Sequence, residues 1–263
     1  MTTAEKPPLL DFHNLRVMRG QKIALDDFSL RIEADEHVAI LGPNGCGKST
    51  LIKTITRECY PVARPESSMS ILGEELWNVF ALRARLGIVS NDLMLSVTGD
   101  ACGRDVVLSG FFSSISIFSN HYVDARHREL ANSALASLKI EHLAERPVCE
   151  MSSGEARRVL IARALVHKPG ALLFDEPCNS LDLSAQQTLR QTMRALANSG
   201  TAIILVTHEL ADIVPEIGRV VLMDRGRVVA DGPKEEILRV ERLAALFGVK
   251  VEMARRDGHY HLW

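Results

Sequence analysis

Apolar positions along this chain change their spacing several times, and each change marks a different element. Over residues 9–41 they fall in short alternating runs, at 15–17, 28–32 and 38–41, the period-two pattern of strands. Residues 86–90 (L-G-I-V-S), 171–175 (A-L-L-F-D) and 201–207 (T-A-I-I-L-V-T) are short and almost wholly apolar, as strands covered on both faces are. From 91 to 150 helical spacing dominates. Over 122–138, Leu130, Ala134 and Leu138 recur at i, i+4 and i+8 and predict the buried stripe of a helix. Helices are also predicted over 153–167, 184–198 and 234–247. For 184–198, Ser184 and Gln187 have capping-box spacing, Leu189, Met193 and Leu196 share a face, and Gly200 ends the run. Residues 219–224 and 227–230 read as a hairpin through Asp224-Arg225-Gly226, and a polar tail follows 247. Strands alternating with helices predict an α/β fold. Its core is a mostly parallel sheet with helices on both faces, joined to an N-terminal antiparallel β region and an inserted helical subdomain. We divide the single domain into a core of 9–90 and 151–247, a helical subdomain of 91–150 and a C-terminal extension of 248–263.

Composition narrows the class only a little. The chain has 263 residues, 46% hydrophobic and 24% charged, with a formal net charge of −2. That length can bury a sizeable core. The charge balance offers no basic excess for nucleic acid, and no direct nucleic-acid partner is expected. No apolar run approaches the roughly 20 residues that span a bilayer. The opening M-T-T-A-E-K-P-P has no apolar signal region and reads as a frayed lead-in. The five cysteines lack paired spacing, so a reduced chain is expected, with Cys46 open to modification.

The chemistry begins at Gly42-Pro43-Asn44-Gly45-Cys46-Gly47-Lys48-Ser49-Thr50, which fits G-x-x-x-x-G-K-[ST] in full. Such a loop wraps backbone N–H groups around a polyphosphate. Lys48 adds a point charge for the β- and γ-phosphates, and the Ser49 hydroxyl reaches Mg²⁺. With an apolar strand before it and a helix after it, the loop predicts a P-loop NTPase core and nucleoside triphosphate binding. Further on, Leu172-Leu173-Phe174-Asp175-Glu176-Pro177 raises two carboxylates on an apolar strand; Asp175 is read as the Mg²⁺ partner through water and Glu176 as the group that polarises the attacking water. Met151-Ser152-Ser153-Gly154-Glu155 opens a helix. That reads either as a second anion cradle, facing the nucleotide of another subunit, or as a plain N-cap. Ser180-Leu181-Asp182 follows the acidic pair. Val206-Thr207-His208-Glu209 delivers a histidine at a strand end, within reach of a γ-phosphate or simply structural.

In this order the motifs resemble the ATP-binding cassette (ABC) ATPase family over residues 9–247: phosphate loop, Q-loop position at L-G-I-V-S-N, helical subdomain, M-S-S-G-E signature, L-L-F-D-E-P as Walker B, S-L-D as D-loop and His208 as switch histidine. The resemblance implies head-to-tail pairing of two cassettes around two MgATP, with the phosphate loop of one facing Ser152 and Gly154 of the other. It implies catalytic roles for Lys48, Glu176 and His208 and metal contacts from Ser49, Asp175 and Asn91. Three positions depart from the pattern. Asn91 stands for the Q-loop glutamine, one methylene shorter. Ser153 and Glu155 replace a glycine and a glutamine of the signature. The aromatic that stacks on adenine is missing near 17–20, where Arg19 or Met18 is left to cover the base.

Such a cassette needs a partner to convert closure into work. The resemblance implies a separate transmembrane permease, import in a bacterium, a solute-binding protein upstream, and a cytoplasmic position at the inner face of the membrane. The apolar run 106–112 and Phe118 are read either as the permease contact or as core. Two alternatives stay open: a cassette acting as a regulatory or mechanical module without transport, and an ATP-dependent dimerisation module that hydrolyses weakly. His259 and His261, two residues apart in the tail, are too few for a metal site and read as a solvated or packing extension.

Overall fold

A computed structural model describes residues 6–90, 92–93 and 100–263. The first half of the chain runs β1 (Leu10–Arg19), β2 (Lys22–Ile32), β3 (Val38–Leu41), α1 (Lys48–Ile55), β4 (Ser68–Ile71), α2 (Val79–Arg85) and β5 (Leu86–Val89). Then come α3 (Gly103–Ser109), α4 (Ala125–Ser137), α5 (Ser153–Leu165), β6 (Ala171–Asp175) and α6 (Leu183–Asn198). The chain ends with β7 (Ala202–Thr207), β8 (Arg219–Asp224), β9 (Arg227–Pro233), α7 (Lys234–Ile237), α8 (Val240–Phe247), β10 (Met253–Arg256) and β11 (His259–Leu262). These elements form two compact units, one of Met1–Val79 with Ala202–Trp263 and one of Phe80–Thr201.

In the first unit, β1 pairs antiparallel with β2 and β4. The alternation seen in the sequence turns Phe12, Leu15, Val17, Leu25, Phe28 and Leu30 inward. β3 runs parallel to both β7 and β8, with Leu41 opposite Thr207 and Leu222. β3, β7 and most of β8 are buried, as strands joined by crossovers must be. β8 and β9 form the expected hairpin; Arg225 and Gly226 both have positive φ, the twist that a two-residue hairpin turn requires. Asp26 on β2 clasps this hairpin. Its carboxylate accepts from Arg227 at 2.6 Å and from Arg16 at 2.8 Å, and its backbone N–H donates to the Gly226 carbonyl. Arg227 and then Arg16 hold the Asp26 carboxyl below its ordinary range.

In the second unit β5 and β6 run parallel, Val89 opposite Phe174. α3, α4 and α5 enclose a core of Val106, Val107, Leu108, Ala131, Ala134, Leu135, Ile140, Leu143, Val159, Leu160 and Ala162. Arg163 crosses this layer, donating to the Ser109 hydroxyl at 3.1 Å and the Ser114 carbonyl at 2.7 Å, and burial lowers its pKa to about 10.

Several sequence expectations change here. The buried stripe of α4 is Ala131, Ala134 and Leu135, with Leu130 and Leu138 only half-buried. The Asp124–His127 capping box sets the helix start, and Ala131 brings its small face against the core. α6 begins two residues earlier than a Ser184 cap implies, because the Asp182 carboxylate accepts from the Ala185 N–H at 2.8 Å and makes Asp182 the cap. The single helix expected over 234–247 is broken at Leu238–Arg239, where Arg239 is extended. Buried Ile237, Leu238 and Leu243 would spread around a continuous helix, and the break turns all three inward. Residues 106–108 belong to the core, whereas Phe118 is exposed. The polar tail is a β10–β11 hairpin whose Tyr260 is buried, with Arg255 5.4 Å from its ring centre.

Leu135→Ala is expected to destabilise the protein by about 2–5 kcal/mol and Leu130→Ala by about 1 kcal/mol, read from denaturant midpoints. Asp26→Asn tests the clasp. A carboxyl whose folded pKa is lowered stabilises fully above its unfolded value, 3.8, and loses that contribution as pH falls through the folded value. The melting-temperature gap between wild type and Asp26→Asn is therefore expected to be widest near neutrality and to close on acidification below pH 3.8.

Candidate functional site

The phosphate loop leaves the end of β3 and enters α1 at Lys48. Gly47 caps this helix with φ 112°, so the cap has no side chain to block the first turn. A Cβ at Gly47 would lie 2.7 Å from the Ala24 carbonyl oxygen and 2.9 Å from Met223 Cε, so only glycine lets the loop close against β2 and the end of β8. The buried Lys48 ammonium folds back along the loop, donating to the carbonyls of Gly42 at 2.8 Å and Pro43 at 3.1 Å. Asn44, Gly45 and Ser49 are exposed, and Thr50 is buried. The loop thus exposes Asn44, Gly45 and Ser49 around a helix start with no side-chain cap, a donor set suited to a polyphosphate. Cys46 is 4% exposed, and burial pushes its thiol pKa up. That makes it a packing residue and corrects the expectation of a modifiable thiol.

His208 stands next to this loop. Because Leu41 lies opposite Thr207, the residues that follow, Gly42 and His208, leave adjacent parallel strands at the same end. His208 is 30% exposed, with Nε2 3.6 Å from the Glu209 carboxylate. The Thr207 hydroxyl accepts from the Glu209 N–H at 3.0 Å and fixes the turn that carries the histidine. Arg19 lies at the exposed far end of β1, its guanidinium 3.8 Å from Cys59 Sγ, and Met18 is 37% exposed beside it.

Sequence reasoning missed Gly226. Its N–H donates to the Cys46 carbonyl at 2.7 Å, so the β8–β9 turn is bonded directly to the phosphate loop. With φ 78°, and with a Cβ position 2.5 Å from the Ala24 carbonyl oxygen, no other residue fits there without moving both. Read from sequence, Asp224-Arg225-Gly226 signals only a hairpin turn.

In the second unit, β6 carries Asp175 to its C-terminal end, and Glu176 follows with φ 46°, an uncommon left-handed backbone for a glutamate. Both are half-buried. Arg157 of α5, 4% exposed, is a second residue missed from sequence: burial lowers its pKa, while the charges of Cys178 and Asp175 oppose that shift. An arginine inside a signature helix reads as a solvated charge until the strand behind it is placed. Asn91, the Q-loop candidate, lies outside the described residues.

The signature begins α5. Ser152 is the N-cap: its hydroxyl accepts from the Glu155 N–H at 3.3 Å, and Glu155 reaches back to the Ser152 N–H at 2.8 Å. Gly154 is needed by packing as well as chemistry, since a Cβ there would sit 2.7 Å from the Ala185 Cβ of α6. Ser152, Gly154, Glu155, Arg158, Asp182 and Ser184 line a cleft of about 290 Å³. The structure therefore brings Lys48 and Ser49 together with His208 on one unit, and Ser152, Gly154 and Asp182 together on the other.

Gly226→Ala is expected to lower ATPase kcat/KM by about ten- to a hundredfold by displacing the loop. Gly218→Ala, where nothing lies within 4 Å of the added Cβ, is the matched control. Steady-state phosphate release checks both.

Residues 25–179 match the sequence model of the family described as ABC transporter. The chain is 31% identical over 258 residues to the hemin import ATP-binding protein HmuV of Bradyrhizobium diazoefficiens, covering 95% of this chain and 92% of that protein. It is 33% identical over 252 residues to HmuV of Pseudomonas fluorescens, covering 92% and 94%. Among solved structures, cbiO1 of Clostridium perfringens, part of the ABC transporter complex cbiONQ, superposes with a TM-score of 0.73 at 26% identity, over 93% of this chain and all of that one. The chain belongs to the ABC transporter family and is an ATP-binding, ATP-hydrolysing cassette subunit.

Proposed function

We propose that two copies of this chain close head to tail around two MgATP and so drive a separate transmembrane permease that imports a metal chelate of the haem class. The observation that carries this reading is that each chain holds two distinct helix starts with motifs suited to an anion. One is the phosphate loop before α1, and the other is the Ser152-capped start of α5. A single nucleotide needs only one of them, and antiparallel pairing gives each triphosphate one of each kind.

In this arrangement the phosphate loop and Lys48 hold the β- and γ-phosphates. Ser49 and Asp175, with Asn91, hold Mg²⁺. A magnesium ion on nucleotide phosphates would keep several waters, which suits a hydroxyl, an amide and a single carboxylate reached through water. Glu176 polarises the attacking water, and its left-handed backbone is the kind of strain found at reacting sites. His208 contacts the γ-phosphate. Ser152 and Gly154 of the partner complete the pocket, and Arg19 covers the base. Asp182 caps α6 beside the signature and so fixes the D-loop against it.

Among the described residues no helix is long and apolar enough to cross a membrane. The described part of 91–150, with α3 and α4, is the contact for that permease, and exposed Phe118 lies on its surface. A solute-binding protein upstream and a cytoplasmic position at the inner face of the membrane follow from this role. The import direction and the cargo class rest on the two hemin-import relatives.

Glu176→Gln is expected to remain a stable dimer in MgATP and a monomer without nucleotide, by multi-angle light scattering, with ATP turnover reduced at least about a hundredfold. Lys48→Ala is expected to stay monomeric in MgATP. A monomeric Glu176→Gln protein that still binds ATP would refute the head-to-tail reading. A turnover rate unchanged by Glu176→Gln would instead place the protein among weakly hydrolysing dimerisation modules.

A further inference from the structure

The signature helix start is already occupied by an anion of its own. Glu155 places one carboxylate oxygen, Oε2, 2.8 Å from the Ser152 N–H and 2.9 Å from the Ser152 hydroxyl. The other oxygen, Oε1, accepts from Arg146 at 3.3 Å. Arg146 also donates to the Glu150 carbonyl, which anchors the guanidinium in the loop before α5. The carboxylate is 22% exposed. It is held in its charged form chiefly by the Ser152 N–H and hydroxyl, with Arg146 and Arg158 adding to this. The other ionic groups lining the cleft are Arg158 and the Asp182 carboxylate.

We propose that Glu155 sets the nucleotide affinity of the paired state by competing with the incoming terminal phosphate for Ser152. The inference rests on the head-to-tail reading above. Ser152 has one hydroxyl proton, and in the isolated chain that proton points to Glu155 Oε2. A phosphate oxygen arriving on the partner's nucleotide must take this donor and must also approach a full negative charge in a confined cleft, where screening is weaker than in open water. A glutamine at this position satisfies the same backbone N–H through its carbonyl oxygen and leaves the hydroxyl proton free to turn to phosphate. Arg146 is the counterweight: it neutralises part of the charge and draws one oxygen away from the cleft. Glu155 is therefore a positioning and affinity-setting residue that holds the apo signature in shape at the expense of tight closure.

The test uses the full chain carrying Glu176→Gln, in which closure is read without turnover, and measures the MgATP concentration giving half-maximal dimer by light scattering. Adding Glu155→Gln is expected to lower that concentration about five- to tenfold, with the gain shrinking as NaCl rises from 50 to about 500 mM. Adding Arg146→Gln instead is expected to raise it, and the same change in the Glu155→Gln background is expected to have little effect. Melting curves of each variant without nucleotide establish that α5 is folded, since Glu155→Gln retains the cap. An unchanged or raised half-maximal concentration for a folded Glu155→Gln protein overturns the inference while leaving the pairing intact. A parent Glu176→Gln protein that binds ATP and never dimerises overturns both.

Discussion

The phosphate loop keeps its shape through a backbone contact with a distant part of the chain. The Gly226 N–H donates to the Cys46 carbonyl at 2.7 Å, and the Gly226 carbonyl accepts from the Asp26 N–H at 3.1 Å. One glycine thereby ties the loop, the β8–β9 turn and β2 into a single knot. Arg227, next in sequence, locks the same junction through the Asp26 carboxylate. Three close backbone approaches meet here, at Gly42, Gly47 and Gly226, and in each a Cβ would fall inside van der Waals distance of a carbonyl oxygen. These ties fix the backbone of the loop before any ligand arrives, which lowers the ordering cost of binding.

The starts of α1 and α5 are built on opposite principles. α1 begins at a glycine with no side chain, so its first turn is open to a ligand. α5 begins with a complete capping box, in which Ser152 and Glu155 satisfy one another. The first arrangement favours tight binding by one chain alone. The second makes a surface whose polar groups at Ser152 and Glu155 are satisfied by one another.

The same economy appears in the supporting charges. Arg157 lies buried and Arg163 half-buried in the second unit, Arg163 donating to the Ser109 hydroxyl and the Ser114 carbonyl, Arg157 near Cys178 and Asp175. Buried guanidinium groups are expensive unless hydrogen-bonded or paired, and they fix the relative placement of the elements that satisfy them. The ionic clasp at Asp26 does this at the surface, where each ion pair contributes less.

Much of this was legible in the one-dimensional pattern. Apolar runs located β3, β5, β6, β7 and β8, because a strand covered on both faces must be apolar throughout, and G-x-x-x-x-G-K-[ST] located the phosphate loop, because its chemistry needs those residues in immediate succession. What stayed hidden depended on partners distant in sequence. The α4 stripe shifted to Ala131 and Leu135 because the Asp124 box and the packing of α3 and α5 set its face. The 234–247 helix broke because three apolar residues had to reach one core. Gly226 and Arg157 gained their roles only when Cys46 and Asp175 were brought beside them. Local hydrogen bonding and burial period are written into neighbouring residues, whereas close approach between distant backbones is decided only when the chain has folded.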